Sequence, residues 1–433
     1  MTWLQRYRAH HFLRSSFWFV PVSCIVTALI VLPMVRWVDH RLDWHWLNFT
    51  PDGARAVLGG LSGSMLTFLV FALSALLLVV QLASAQLTPR IITVALANRL
   101  SKIALGLFAF SYTFALGALG RIEDHVPQTV VCVAVVGNLV SIGFFFWFVQ
   151  KLAWSLRPVA ILQSIAEEGR LVIDSVYPLP HDPASGAETP LRDSLPAAAR
   201  VVVYGGQPGS LLAFSAAELV TLARDADCMI EVVPQVGDFL SRGDPLFRIY
   251  PPEKKVDEKA LCQRVAIGPE RTMEQDPTFA FRIMVDIASR ALSAAINDPT
   301  TAVLAIDQLH RLLRHVGSRQ LDPGMVRDER GEVRLAYPTP KWGDFVMLAV
   351  SEIRLFGAGS LQIPRRLRAM LEHLIEVLPA TREPALRREL TLVQKSVGRD
   401  YTDGEDRETA ETCDRQGMGG SSLRNSTRPD SIS

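Results

Sequence analysis

Four long apolar stretches lie within the first 152 residues of the chain, and no stretch of that kind follows them. A hydrocarbon core about 30 Å thick is crossed by roughly 20 residues of α-helix. Each stretch approaches or exceeds that length. The sequence therefore predicts an integral membrane protein whose transmembrane domain, residues 1–157, has four helical spans at about 17–37, 58–85, 103–120 and 128–150.

Composition excludes several classes of protein. A formal net charge of +1 over 433 residues gives no reason to expect a nucleic-acid partner. The five cysteines are scattered singly, without a Cys-x-x-Cys pair, so we expect neither a disulfide framework nor a zinc site. His310 and His315 are five residues apart, on different faces of a helix, and we expect no metal and no cofactor.

Charged residues between the spans predict the orientation. The first apolar run is longer than the apolar region of a secretory signal and is read as a retained span. Basic residues without acidic ones mark the cytoplasmic side of a membrane protein. This bias places both termini in the cytoplasm. The basic residues are Arg6, Arg8 and Arg14 before span one, Arg90, Arg99 and Lys102 between spans two and three, and Lys151 and Arg157 after span four.

The second span carries small and polar residues at every seventh position, which places them in one stripe along a helix. Two interpretations are open. Small and hydroxyl residues allow close helix packing in lipid. Uncharged polar side chains can also line a pathway through a homo-oligomer without the cost of a buried charge. The stripe consists of Gly60, Thr67, Ser74, Gln81 and Thr88.

The rest of the chain predicts a cytoplasmic α+β domain. A linker and helix cover 158–198, and a small β-rich module covers 199–252, where short apolar runs alternate with glycine-containing turns. A mostly helical region follows at 253–400. From 401 to 433 large apolar residues are almost absent, so we expect a disordered tail.

Two helices in tandem are predicted near residue 297. Asp-Pro at 276–277 and again at 298–299 supplies an N-cap followed by proline at the first helical position. One interpretation is an ordinary amphipathic hairpin. The other is a cluster that contacts a ligand or subunit, formed by Arg282, Asp286, Arg290, Asn297 and Asp298.

Four separated motifs occur in a recognisable order: QLASAQLTPR at 81–90, GDF at 237–239, EQDP at 274–277 and AINDPTTA at 295–302. These motifs make the chain similar to a family of predicted bacterial membrane proteins classed as domain of unknown function 2254. The resemblance covers approximately residues 10–395. The resemblance implies a bacterial inner-membrane location and a shared architecture. It implies no activity, substrate or catalytic residue.

The hypotheses on function therefore rest on the predicted arrangement of apolar spans and cytoplasmic domain. The sequence lacks the phosphate-binding, zinc-protease and serine-hydrolase motifs, so we do not expect an enzyme, although an unrecognised membrane enzyme stays a third hypothesis. The first hypothesis is a homo-oligomeric channel or pore, with a cytoplasmic gate or vestibule. The alternative is a non-catalytic membrane sensor or scaffold, whose cytoplasmic domain binds a small ligand or an envelope protein.

Overall fold

The computed structural model of the chain describes residues 2–42, 49–86, 99–122, 126–155, 157–182 and 199–419. It forms two compact units. The N-terminal unit comprises Ala9–Ala160, and the C-terminal unit joins Ile161–Ser433 to Met1–Arg8.

Within the described residues, four helices are long and apolar enough to cross a membrane, in agreement with the sequence. A short helix, α1, precedes them. The bounds are Trp3–Ser15 for α1, Phe19–Leu42 for α2, Pro51–Gln86 for α3, Arg99–Leu119 for α4 and Gln128–Ser155 for α5.

Helix α3 differs most from its predicted span of 58–85. It begins at Pro51, because proline is favoured in the first turn and Asp52 places a negative charge at the positive end of the helix dipole. Its 36 residues correspond to about 54 Å at 1.5 Å per residue, well beyond a hydrocarbon core of about 30 Å.

Polar contacts join the four apolar helices. The hydroxyls of Ser111 in α4 and Ser141 in α5 are 2.9 Å apart, and Ser141 is fully buried. The Asn138 amide donates to the carbonyl oxygen of Leu61 in α3, at 3.4 Å. Buried Asp39 accepts a 2.7 Å hydrogen bond from the backbone N–H of Thr129, at the start of α5. These bonds satisfy groups that would otherwise be costly in an apolar environment.

The C-terminal unit contains two sheets. One has five strands in the order β1-β5-β3-β8-β7, with β3 and β8 parallel and the other pairs antiparallel, and the second is antiparallel in the order β4-β2-β6. The strands are β1 Arg200–Val203, β2 Gly209–Phe214, β3 Met229–Val232, β4 Phe239–Leu240, β5 Pro245–Tyr250, β6 Val265–Gly268, β7 Met325–Arg327 and β8 Val333–Ala336.

The sheets cross the predicted domain boundary at 252. Strand β6 pairs with β2, and β8 pairs with β3, although β6 and β8 lie in the region predicted to be mostly helical. The division into a β module at 199–252 and a separate helical domain at 253–400 is therefore wrong. Long-range strand pairing closes the sheets, and a local pattern does not show which distant strands will pair.

The helices of the C-terminal unit bury apolar faces against one another and against the sheets. Phe281 of α9 packs on Phe345 of α11, with ring centroids 5.3 Å apart. The helices are α6 Pro158–Val176, α7 Ala216–Asp225, α8 Glu258–Cys262, α9 Pro277–Ala291, α10 Pro299–Gly317, α11 Trp342–Phe356, α12 Gln362–Val377, α13 Glu383–Asp400 and α14 Gly404–Glu411.

The predicted disorder from residue 401 is wrong for 401–419, and 420–433 lie outside the described residues. Helix α14 forms there, and Arg365 donates to the carbonyl oxygens of Thr412, at 3.1 Å, and Gly419, at 2.9 Å. Asp414 is 1% exposed and accepts three backbone N–H groups. Hydrogen bonds rather than apolar burial hold this segment, which is why its composition did not reveal it.

Two histidines meet between α10 and α12. The Nε2 atom of His310 lies 2.8 Å from Nδ1 of His373. Burial, and then the charge of His373, lowers the pKa of His310 to about 4 from its ordinary value of 6.5. A direct bond between two ring nitrogens needs one of them unprotonated, so the folded unit favours the neutral imidazole.

This pair predicts acid sensitivity of the fold. Between about pH 6.5 and 4 the unfolded chain binds a proton at His310 that the folded chain does not. Stability is full above pH 6.5 and falls by roughly 2–3 kcal/mol as the pH drops towards 4. Denaturant titration of the detergent-solubilised protein across this range should show a smaller pH dependence for His310→Gln. His181→Gln, a change in a loop, serves as control. An unchanged slope in His310→Gln would refute the assignment.

Candidate functional site

The stripe predicted along span two lies on the outer face of α3. Gly60, Thr67, Ser74 and Gln81 are all exposed within the chain. The opposite face of the helix is buried against the other apolar helices through Leu58, Met65, Ala72 and Leu76. The stripe therefore does not pack helices of one chain together. Thr88 lies outside the described residues.

The predicted charge cluster on α9 forms an ion-pair bridge between helices. The Nε atom of Arg282 donates to Asp286 at 2.7 Å, and its terminal nitrogens contact both carboxylate oxygens of Glu352 in α11. The carboxylate of Glu352, and then that of Asp286, holds the pKa of the Arg282 guanidinium above its ordinary value. This charge network joins α9 to α11.

The Asn-Asp corner begins α10. Asn297 adopts a positive φ of 49°, which asparagine tolerates better than most residues. Asp298 is the N-cap, and it accepts the backbone N–H of Thr301 at 3.1 Å and its hydroxyl at 2.5 Å. Arg290, half-buried, lies in the last turn of α9. The corner and the Arg282 network are thus two separate groups, each with a defined structural contact.

A cavity of about 430 Å³ lies within the C-terminal unit, where segments from distant parts of the sequence meet. The sequence motif EQDP at 274–277 forms one wall, although its pattern indicated only the start of a helix. The lining residues are Ser175, Val176, Tyr177, Phe214, Ala216, Gln235, Val236, Glu274, Gln275, Asp276, Pro277, Asp322, Tyr337, Pro338, Thr339 and Pro340.

Asp276 fixes the wall that contains this motif. It is 2% exposed, and its Oδ1 atom accepts the backbone N–H of Thr278 at 3.0 Å and the Thr278 hydroxyl at 2.6 Å. Its other oxygen pairs with Arg271. Next to it, the Gln275 side-chain amide bonds to both backbone groups of Phe214, at 3.0 and 3.2 Å, and so attaches the start of α9 to strand β2.

Gly237, from the GDF motif, lies directly against Arg271. Its φ is +97°, and a Cβ atom at this position would overlap the Arg271 guanidinium. The positive φ favours glycine here, and a Cβ atom would fit only if the Arg271 side chain moved away from its position beside Asp276. Two motifs that are separate in the sequence, GDF and EQDP, are packed together through Arg271.

Another part of the lining contains a tyrosine–carboxylate pair. The Tyr337 hydroxyl donates to Asp322 at 2.5 Å, and the Thr339 hydroxyl donates to the Asp322 backbone oxygen at 2.9 Å. Burial, and then the negative charge of Asp322, raises the pKa of Tyr337 above its ordinary range. Tyr337 therefore stays protonated and acts as a hydrogen-bond donor to a carboxylate.

The N-terminal helix contacts the same cavity wall. The Tyr7 hydroxyl lies close to the Glu274 carboxylate, and burial, followed by the interaction with that carboxylate, raises the pKa of the Tyr7 hydroxyl. Arg6 forms a 3.1 Å ion pair with Glu218 of α7. Both contacts lie within the C-terminal unit, and they attach the start of α1 to it.

The electrostatic character of the lining is acidic. Three carboxylates, those of Glu274, Asp276 and Asp322, border the cavity, and the residues that line it include no lysine, arginine or histidine. Among the described residues, no group of three or more histidine, cysteine or acidic side chains is arranged to hold a metal ion. Local sequence signals could not reveal this site, because Tyr7, Tyr337 and Asp322 come from segments far apart.

Within the described residues, four helices long and apolar enough to cross a membrane precede a unit of mixed helix and sheet. The chain belongs to the family described as "Predicted membrane protein (DUF2254)", whose model matches residues 14–373. The family resemblance noted in the sequence is confirmed.

Two mycobacterial relatives align with most of the chain. The chain is 28% identical over 416 residues to the uncharacterized proteins Rv1290c of Mycobacterium tuberculosis and Mb1321c of Mycobacterium bovis. Each alignment covers 92% of this chain and 79% of the relative. No solved structure matches the chain.

The Gly237–Arg271 contact can be tested with a matched pair of variants. Gly243 has almost the same φ, +98°, but open space around its α-carbon. Both Gly→Ala changes should lose about 1–2 kcal/mol of stability from backbone strain. Gly237→Ala should lose a further ~1–3 kcal/mol because it displaces Arg271. Chemical denaturation measures both, and equal losses would show that the Arg271 contact does not constrain this position.

Proposed function

We propose that this protein is a membrane sensor whose C-terminal unit binds a small molecule in the cavity, on the cytoplasmic side of a bacterial inner membrane. The supporting observation is the cavity itself. Its volume of about 430 Å³ falls within the ~300–1,000 Å³ typical of small-molecule sites. Its lining combines three aromatic residues, Tyr177, Phe214 and Tyr337, with polar side chains that can orient a ligand. The basic residues beside the apolar helices support the cytoplasmic placement.

Chain connectivity supports a signalling role. Helix α1 spans Trp3–Ser15 and places Tyr7 close to the lining residue Glu274, and α2 begins at Phe19. Helix α6 begins at Pro158, soon after α5 ends, and its last residues line the cavity. The chain therefore connects the first apolar helix to the cavity through α1, and the last through the 19-residue helix α6. A ligand that changes the position of Glu274 also changes the stability of α1 docking, since linkage between two equilibria is reciprocal.

A non-catalytic role is consistent with how the polar groups are used. Asp276 caps a helix, Gln275 bonds to the backbone, and Tyr337 donates to Asp322. The lining contains no histidine, cysteine or lysine, and the carboxylates of Asp276 and Asp322 are already engaged in these bonds. These contacts shape a binding site rather than activate a reacting group.

Filling the cavity tests the sensor proposal. Ala216→Trp should abolish the thermal stabilisation that a metabolite panel gives to the wild-type protein in nanodiscs, because the indole occupies the ligand volume. A ligand found this way should alter amide hydrogen exchange of α1 in the wild type.

Tyr7→Phe is the matched control, since it removes one hydroxyl and leaves the cavity open. It should retain ligand binding within about threefold but lose the effect on α1 exchange. The sensor proposal fails if Ala216→Trp and wild type respond identically to every compound, or if ligand binding leaves α1 exchange unchanged.

A second candidate function, a pathway in a homo-oligomer, is favoured by the exposure of the α3 stripe. Gly60, Thr67, Ser74 and Gln81 form a polar and small-residue face that the chain itself leaves uncovered. Lipid offers hydroxyl and amide groups no partners, whereas a second copy or a water-filled pathway does. The cavity supports the sensor more directly than this stripe supports a channel.

The proposal of a pathway along α3 can be tested at the residues of the stripe. Ser74→Leu and Gln81→Leu should alter ion flux through purified protein in liposomes by about tenfold or more, because the polar lining is lost. Val70→Leu, an apolar change at an exposed position of the same helix, should leave flux unchanged. Equal flux in all variants, or no flux in the wild type, would argue against a pathway along α3.

A further inference from the structure

We infer that the end of α5 binds the headgroup of an anionic phospholipid through Lys151, Trp154 and Arg157, which together are called the headgroup site. The site belongs to the N-terminal unit, Ala9–Ala160, whereas the cavity belongs to the C-terminal unit. It is therefore independent of the proposed sensor function. It requires only that the apolar helices of this membrane protein lie in a bilayer.

The guanidinium of Arg157 is held over the ring of Trp154. Its Cζ atom lies 4.4 Å from the ring centroid, and the backbone N–H of Arg157 donates to the carbonyl oxygen of Trp154 at 3.3 Å. The turn that follows α5 thus places the cation on the face of the indole. Trp154 is 56% exposed, so the pair lies on the surface of the unit. An aromatic face attracts the guanidinium without neutralising it, and the N–H groups at its edge match the oxygen atoms of a phosphate.

The basic side chains of the headgroup site lack a counter-charge. Lys151 and Arg157 are exposed, and neither forms an ion pair within the part of the chain that the structure describes. No aspartate or glutamate occurs in residues 125–166. Asp39, in contrast, bonds to Thr129 at the start of α5, which is the other end of the helix. A phosphate group would supply the negative charge that this end of α5 does not contain.

An exposed apolar face leads along α5 to the headgroup site. Trp147, Lys151 and Trp154 occupy positions i, i+4 and i+7, which lie on one face of a helix. Trp147 and its neighbour Phe146 are exposed. At 1.5 Å per residue, Trp147 and Trp154 are about 10 Å apart along the helix axis. A phospholipid has the same order of chemistry, with apolar acyl chains first and then a charged phosphate at the level where tryptophan is enriched.

Two unpaired basic residues favour a lipid with a net negative charge. In phosphatidylcholine the headgroup ammonium offsets the phosphate, whereas phosphatidylglycerol carries no such cation. Each lysine or arginine close to an anionic lipid surface strengthens the attraction by about fivefold. A free phosphate ion would lack acyl chains that contact Trp147 and Phe146, and salt would screen its attraction to exposed side chains. The occupant that fits both the charge and the apolar face is therefore a lipid.

The test measures which lipid lies beside Trp154. The full chain is reconstituted in vesicles of phosphatidylcholine and phosphatidylglycerol, with one of the two lipids brominated on its acyl chains, since bromine quenches nearby tryptophan fluorescence. Subtracting the signal of Trp154→Phe isolates Trp154 among the eight tryptophans. We expect phosphatidylglycerol to be enriched at Trp154 by at least about fivefold over its share of the vesicle.

Two charge-removing variants assign this enrichment to the headgroup site. Arg157→Gln and Lys151→Gln should each lower it by about threefold to fivefold, because one cation is lost while Trp154 remains as the reporter. Both side chains are exposed, so the fold should tolerate the changes. Arg242→Gln, at an exposed arginine of the C-terminal unit, is the matched control and should leave the enrichment unchanged.

Several results would overturn the inference. They are equal quenching of Trp154 by the two brominated lipids, no quenching of Trp154 by either, and an enrichment that Arg157→Gln and Lys151→Gln leave intact. Inorganic phosphate that displaces the lipid more strongly than chloride at the same ionic strength would indicate a free-anion site and would also overturn it. None of these results bears on the sensor proposal, which Ala216→Trp and the hydrogen exchange of α1 test separately.

Discussion

The buried carboxylate of Asp276 is the interaction on which the C-terminal unit most depends. It caps α9, pairs with Arg271, and so holds that guanidinium against Gly237. Beside it, Gln275 attaches the same turn to β2. One short turn thus joins the sheets to the helices. A buried carboxylate is tolerated only when its oxygen atoms are fully bonded, and here the bonds that satisfy it are also those that assemble the cavity wall.

The cavity lies within the C-terminal unit, where the proposed ligand would bind. Tyr7 of α1 lies close to Glu274, a carboxylate that lines the cavity, and the end of α6 forms part of the wall. The sensor proposal depends on these two helices, because α1 precedes the first apolar helix and α6 follows the last. The exposed stripe of α3 belongs to the N-terminal unit and supports only the second proposal, a pathway formed by several copies of the chain.

The N-caps of the helices and the lengths of the apolar helices could be predicted from the sequence, because each depends on residues that are close together in the chain. Asp276-Pro277 and Asp298-Pro299 begin α9 and α10 where the pattern placed them, and the apolar helices fall near their predicted spans. The tail was misread because Asp414 and Arg365 stabilise it through backbone hydrogen bonds, which leave no apolar signature. The β-module boundary was misread because β6 and β8 join the sheets from outside it.

The sequence by itself determined that this is a membrane protein with four apolar helices, the family to which it belongs, and the starting points of its capped helices. Those features depend on composition and on residues within a few positions of one another. Only the tertiary structure decided that Tyr337 meets Asp322, that Tyr7 meets Glu274, and that a cavity lies among them. Such contacts join residues up to hundreds of positions apart, and packing, rather than any local pattern, selects them.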